Sequence, residues 1–311
     1  MFEKVKTLSE KYFPKIAEFR EDLHRYPELS FEEFDTAKKL CEVLDKAGIS
    51  YQKNIAKTGV LAQIQGNKKD DKSQKCVLLR ADMDALPVQE ESGVSYASKI
   101  AGKMHACGHD GHTAALLGTA LILNELKDEF SGIVKFMFQP AEENYGGAKP
   151  MIEQGILENP SVDAVFGCHL WGPMLENTAQ IISGAMMAGV DTFELEFIGK
   201  GGHGAHPHTT IDPIVMAAKF ISDVQTLVSR RLKPVEAGVV TIGYIQAGTT
   251  YNIIPQNAIL KGTARFLSDE VQKILQNGIE QIASCVASEF GGKYKLNYMR
   301  EYPPLLNDKA M

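Results

Sequence analysis

Short runs made almost wholly of apolar residues recur through the N-terminal half of the chain: Gly59–Ile64, Cys76–Arg80, Gly132–Phe138 and Ala164–Cys168. Each is too short for a helix of ordinary length. Successive side chains of a strand point to opposite faces, so a strand apolar at nearly every position must be covered on both sides. Thr113–Leu126, between the second and third runs, is apolar nearly all round and is expected to be a buried helix. Upstream, residues 3–26 place Val5, Leu8, Tyr12, Ile16, Phe19 and Leu23 at helical spacing. A second helix is expected from Phe31 to Ala47, stopped by Gly48. Apolar strands alternating with helices give an α/β class: a mixed sheet with helices on its faces.

The pattern changes after about Ala188. Phe193–Ile198 alternates with period two, Asp212–Val228 reads as a helix, and Val239–Ile245 and Ala258–Phe266 read as strands. A helix from about Asp269 to Phe290 and a strand over Lys293–Tyr298 complete a β-α-β-β-α-β order. That order matches the ferredoxin-like plan, one sheet with two helices on one side. The chain therefore divides into residues 1–187, an inserted ferredoxin-like α+β domain over 188–299, and a short segment 300–311. In that segment Tyr302-Pro303-Pro304 ends the strand, and Asn307 and Asp308 suit helix N-caps.

Charge and cysteine usage narrow the function classes. Lys and Arg total 33 against 39 Asp and Glu, a net charge of −6, which disfavours a nucleic-acid binder. No apolar run approaches the roughly 18 residues of a membrane span. The cysteines at 41, 76, 107, 168 and 285 are too scattered for a disulfide framework, so a reducing, cytoplasmic setting is expected.

The densest polar cluster is His105-Ala106-Cys107-Gly108-His109-Asp110-Gly111-His112, just before the buried helix. Cys107 and His109 can reach one small volume if that loop is extended, while Asp110 could simply cap the helix. Phe138-Gln139-Pro140-Ala141-Glu142-Glu143 runs from an apolar strand into adjacent carboxylates, which in extended chain would point opposite ways: one to a metal, one to a substrate. Another apolar strand ends in Cys168-His169-Leu170-Trp171, with Cys168 read as a small core residue. In Arg80-Ala81-Asp82-Met83-Asp84, the two aspartates share a face and could orient metal-bound imidazoles or cap the strand end. Later come the glycine-rich, histidine-bearing loop Gly199–His208, then Asn252, and Arg265 inside an apolar strand, where a buried guanidinium would need an anion.

These segments resemble the metal-dependent aminoacylase and carboxypeptidase family. HACGHDGHTAALLG, RADMDALP, FQPAEE, GCHLW, GGHGAHPH and YNIIPQNAILKGTARF follow one another in order along essentially the whole chain. The branch they resemble most is the N-acyl-amino-acid amidohydrolases, which include bacterial hippurate hydrolases and plant auxin-conjugate hydrolases. The resemblance implies a catalytic α/β domain with two divalent ions, zinc first and manganese, cobalt or nickel as alternatives. It also implies a lid domain that often dimerises, and so a homodimer. Cys107, His109, Glu143 and His169 would be metal ligands, and Glu142 the general base that activates water and then protonates the leaving amine. His203 would steady the tetrahedral oxyanion. Asn252 and Arg265 would hold a small N-acyl-amino acid, Arg265 through its carboxylate.

Relatives return from the lid to the catalytic domain and supply one more metal-binding histidine. Residues 300–311 are read as the start of that return, so a truncated chain with weak or absent activity is expected. A catalytically inactive metal-binding or dimerisation module is the rival reading from another class. A second enzyme reading makes Cys107 a nucleophile paired with His109 or His105.

Overall fold

A computed structural model describes residues 1–69, 75–144 and 146–310. The chain separates into two compact units, Met1–Glu176 and Asn177–Met311.

In the first unit, helices α1 (Phe2–Arg25) and α2 (Phe34–Lys46) precede strands β1 (Ser50–Ile55), β2 (Gly59–Gln65) and β3 (Cys76–Asp82). Then come α3 (His109–Glu125), β4 (Ile133–Gln139), α4 (Ala148–Glu153) and β5 (Ala164–Gly167). The sheet order is β1-β2-β4-β3-β5; β3 runs parallel to β4 and β5, and the other pairs are antiparallel. Period-two alternation explains the apolar strands. Val60, Ala62, Phe136 and Phe138 join Leu40, Leu44, Leu117 and Ala120 of α2 and α3 on one face. Leu61, Leu78 and Met137 join Met151 and Ile156 on the other. Lys135 fits this apolar strand because its buried ammonium donates to the carbonyls of Ile156, Glu158 and Pro160.

The parallel strands carry the consequence for function. β3, β4 and β5 all end on one edge, with Asp82 opposite Gln139 and Arg80 opposite Gly167. The amino end of α3 enters at the same edge, where Thr113 Oγ1 donates to the carbonyl of Asp82. In an α/β sheet that edge is where ligands bind.

The second helix begins at Phe34 rather than Phe31, which has a positive φ of 61° and cannot lie in the helix. β1 is an additional edge strand that its polar composition, Ser-Tyr-Gln-Lys-Asn-Ile, conceals. Cys168 is exposed rather than in the core, because it follows the edge strand β5, whose residues from Val165 onward are uncovered.

The second unit contains β6 (Gly184–Met187), β7 (Gly189–Ile198), β8 (Gly202–His203), α5 (Pro213–Thr226) and β9 (Gly238–Ala247). It continues with β10 (Ile253–Ile254), β11 (Asn257–Phe266), α6 (Asp269–Glu289), β12 (Lys293–Tyr302) and β13 (Leu305–Asn307). Its main sheet is antiparallel with order β12-β7-β11-β9, the ferredoxin-like arrangement. Phe193, Leu195 and Phe197 pack with Phe220 of α5 and with Leu275 and Ile279 of α6. Gly262 permits this closeness: a Cβ there would lie 2.4 Å from the Phe193 ring. Asn307 and Asp308 do not open a helix. Leu305–Asn307 pairs with β6, and the Asn307 amide donates to the carbonyl of Ile182. No helix among the described residues is long and apolar enough to cross a membrane.

Candidate metal centre

At the carboxyl edge of the first sheet, seven of the expected residues come together: Asp82, Asp84, Cys107, His109, Glu142, Glu143 and His169. Gly108, with φ of 84°, turns the chain into α3 so that His109 begins the helix. His109 is fully buried, and neither ring nitrogen makes a hydrogen bond. Its Nε2 lies 3.7 Å from Asp82 Oδ2, 3.8 Å from Glu143 Oε1 and 4.0 Å from Glu142 Oε2. Its Nδ1 lies 3.3 Å from Asp84 Oδ1. Cys107 Sγ is 3.5 Å from His169 Nε2.

The imidazole roles follow from their partners. His169 Nδ1 donates to the carbonyl of Leu170 at 2.6 Å, which leaves Nε2 as a lone pair facing Cys107. His112 Nε2 accepts the N–H of Leu170 at 2.8 Å, so its Nδ1 donates to Asp82 Oδ1 at 2.6 Å. Both His112 nitrogens are thus engaged, and this residue holds the strand end that carries His169. Asp82 also pairs with Arg80 at 2.8 Å, and its carboxyl lies well below the ordinary range: burial opposes this, but His112 and Arg80 outweigh it.

Glu142 and Glu143 do not lie in the extended chain expected of them. They occupy a turn entered through Ala141 at φ 52°, and both carboxylates face the His109 side. Asp84 accepts the N–H groups of Glu142 and Glu143, each at 3.0 Å, and the Ser30 hydroxyl at 2.7 Å. Burial raises the Glu142 carboxyl above its ordinary value, with Glu143 and Asp82 adding to the effect. Asp110 is not the helix cap it could have been. It is buried in the first turn of α3, with Oδ2 2.6 Å from Arg20 Nε and 2.8 Å from His24 Nδ1. His24 also reaches Glu90 at 3.2 Å. Arg20 and His24 carry no sequence signal of this role, because α1 reads as an ordinary amphipathic helix, and Glu90 lies outside every motif.

These residues fit a cation. Buried His109 Nε2 and Glu143 Oε1 have no hydrogen-bond partner and face each other. Their neighbours lie 3.5–4.0 Å apart, the spacing that metal–ligand bonds of about 2.0–2.3 Å leave between adjacent donors. The groups Cys107-His109-His169, His109-Glu142-Glu143 and Asp82-His109-His112 each offer three donor atoms within 4.8 Å. Burial and the Glu143 carboxylate push the Cys107 thiol up to about 12, which disfavours the thiolate that a nucleophile needs.

Comparisons with known proteins place the chain in a family. The model for peptidase family M20/M25/M40 matches residues 78–311. The chain belongs to that family. An N-acyl-L-amino acid amidohydrolase of Geobacillus stearothermophilus is 40% identical over 306 residues, 98% of this chain and 81% of the relative. An N-acetyl-L-cysteine deacetylase of Bacillus subtilis is 41% identical over 94% of this chain and 69% of its own length. Among solved structures, a dinuclear metal-binding M20 peptidase of Bacillus subtilis superposes with a TM-score of 0.83 at 36% identity, covering 96% of this chain and 77% of that one. This M20 chain is therefore a hydrolase of the metal-dependent amidohydrolase and carboxypeptidase kind.

The remaining expected residues lie in the second unit. β8 pairs with β10, so His203 stands opposite Ile253, and the N–H of Gly204 donates to the carbonyl of Asn252 at 2.8 Å. His203 and Asn252 are thus neighbours, both exposed. Arg265 is not buried as expected. It points away from the core between buried Ala264 and Phe266. It also stands eight positions beyond Asn257, at the opposite end of β11, about 26 Å along the strand.

Proposed function

We propose that this protein hydrolyses the amide bond of N-acyl-amino acids, hippurate among them, using a water activated by Glu142. Cys107, His109, Glu143 and His169 would hold two divalent ions, with zinc first because the donors mix thiolate, imidazole and carboxylate; manganese, cobalt and nickel are the alternatives. Such ions supply Lewis acidity, lowering the pKa of water and polarising the amide carbonyl. Asp82 and Asp84 orient the ligands around them. Glu142 takes a proton from water as the water oxygen bonds to the carbonyl carbon. It returns that proton to the amide nitrogen as the C–N bond breaks, releasing a carboxylic acid and a free amino acid. A carboxyl raised above its ordinary value by burial and neighbouring carboxylates suits both steps.

The segment 188–299 would act as lid and dimerisation domain, with His203 donating to the tetrahedral oxyanion and Asn252 binding substrate. Arg265 would meet a substrate carboxylate. Its place at the far end of β11, about 26 Å along the strand from Asn257, favours a homodimer in which Arg265 and Asn252 serve different copies of the site. Scattered free cysteines support a cytoplasmic setting.

The observation that carries this reading is the buried, unpartnered His109 facing two adjacent glutamates. The test is metal content per chain, followed by hippurate hydrolysis with and without chelator. About two metals and chelator-sensitive turnover, even if weak, support the reading. Glu142→Gln should retain the metals and lose turnover about 100- to 10,000-fold. A near-native rate in that variant removes Glu142 from the role of base. Metal uptake with no turnover by the native chain would favour a binding module instead.

A further inference from the structure

Glu33 is a carboxylate with no evident reason to be where it is. It precedes α2 but does not cap it. Its side chain turns inward and is fully buried. Its contacts come from neutral groups: Oε2 accepts the Thr58 hydroxyl at 2.5 Å, and Oε1 accepts the N–H of Ala141 at 2.8 Å. A buried carboxylate held only by neutral donors costs free energy that an apolar side chain would avoid.

What it holds is the entry to the Glu142–Glu143 turn. Ala141 is buried at φ 52°, a left-handed conformation that strains an L-residue. Three successive N–H groups, those of Ala141, Glu142 and Glu143, are each accepted by a buried carboxylate. Asp84 takes the last two. Glu33, from a different part of the chain, takes the first.

We propose that Glu33 is a positioning residue for the reaction: by accepting the Ala141 N–H it holds the turn so that both glutamates face His109. The proposal rests on the reading of Glu142 as base and Glu143 as ligand. Without the Glu33 acceptor, Ala141 can relax from positive φ, and the two carboxylates after it swing away together. An amide in place of the carboxylate suffices, because its oxygen accepts from Ala141 and its NH2 donates to Thr58.

The test compares Glu33→Met, which keeps the volume but has no comparable acceptor, with Glu33→Gln in the full chain. Cobalt affinity of the metal-free protein is measured against a competing chelator, together with kcat and KM for hippurate. Glu33→Met should lose about 10- to 100-fold in cobalt affinity and a similar factor in kcat, with KM nearly unchanged. Glu33→Gln should restore both to within about threefold. Native cobalt affinity and kcat in Glu33→Met, with only a lower melting temperature, would overturn the proposal. So would a Gln variant as impaired as the Met variant.

If Glu33→Met does not fold, Thr58→Val frees one carboxylate oxygen and should give a smaller loss of the same two quantities; no loss would again overturn it. Glu142→Gln is measured in parallel. Turnover surviving there defeats the reading of Glu142 as base, while the cobalt contrast between the Met and Gln variants still decides the role of Glu33.

Discussion

Cys107 and His24 show how a side chain's neighbours decide what it can do. The Cys107 thiol sits among Glu142, Glu143 and Asp82 and is pushed up to about 12, whereas Cys168 and Cys285 are exposed. Thiolate, not thiol, reacts with alkylating agents. Iodoacetamide at neutral pH should therefore label Cys168 and Cys285 in the metal-free protein well before Cys107, as read by peptide mass spectrometry. Cys107 labelled first would return the nucleophile reading to contention. His24 is raised as well, but here the shift favours the charged form. Its hydrogen bond to Asp110 raises it above the ordinary histidine value, against the opposing effect of burial, with Glu90 assisting. Its protonated form is thus favoured in the folded state. That contribution is complete below about pH 6.5, the unfolded value, and is lost as pH rises through the raised folded value. Arg20 stays charged throughout and does not mask the change. Between pH 6 and 9 the metal-free native protein should lose more melting temperature than His24→Gln does; parallel curves would exclude this role.

At the scale of elements, the junction between β4 and α4 sets the position of the glutamate turn. Gly147 directly precedes α4, and a Cβ there would lie 1.9 Å from the carbonyl oxygen of Pro140. That atom is backbone, so relief requires moving the strand end or the helix. Gly147→Ala should therefore lower metal affinity about tenfold or more while the β7–β12 sheet stays native, as judged by cobalt titration and amide exchange; unchanged titration would show that the turn absorbs the shift. The same junction marks what was legible in the sequence. The apolar runs identified β2, β3 and β4 because each is covered on both faces, and β5 although it is uncovered from Val165 onward; their ends pointed to the site. The direction of Glu142 and Glu143 was not legible. It depends on Ala141 adopting positive φ, which an alanine does not advertise, and on carboxylates from Glu33 and Asp84 far away in sequence. Nor was the exposure of Arg265: a strand covered on one face hides alternate residues only, and the apolar run around Arg265 suggested two covered faces.

Over the whole molecule, each unit has its own core: α2, α3 and α4 pack against the first sheet, and α5 and α6 against the second. All of the groups able to hold a cation among the described residues belong to the first unit. A ligand that binds only the folded state stabilises by RT ln(1 + [L]/Kd), about 2.7 kcal/mol at one hundred times Kd. That corresponds to about a hundredfold slowing of exchange for amides that open only when the binding structure is lost. Zinc added to the metal-free chain should slow exchange in α3, at the end of β4 and through the turn after it. Those segments carry His109, Glu142 and Glu143 or hold them in place. The β7–β11 pair and α6 carry none of the clustered donors, so their exchange should stay within about twofold. Protection rising equally in both units would mean that the chain opens as one cooperative body. Protection rising in neither would mean that zinc does not bind at the carboxyl edge of the first sheet.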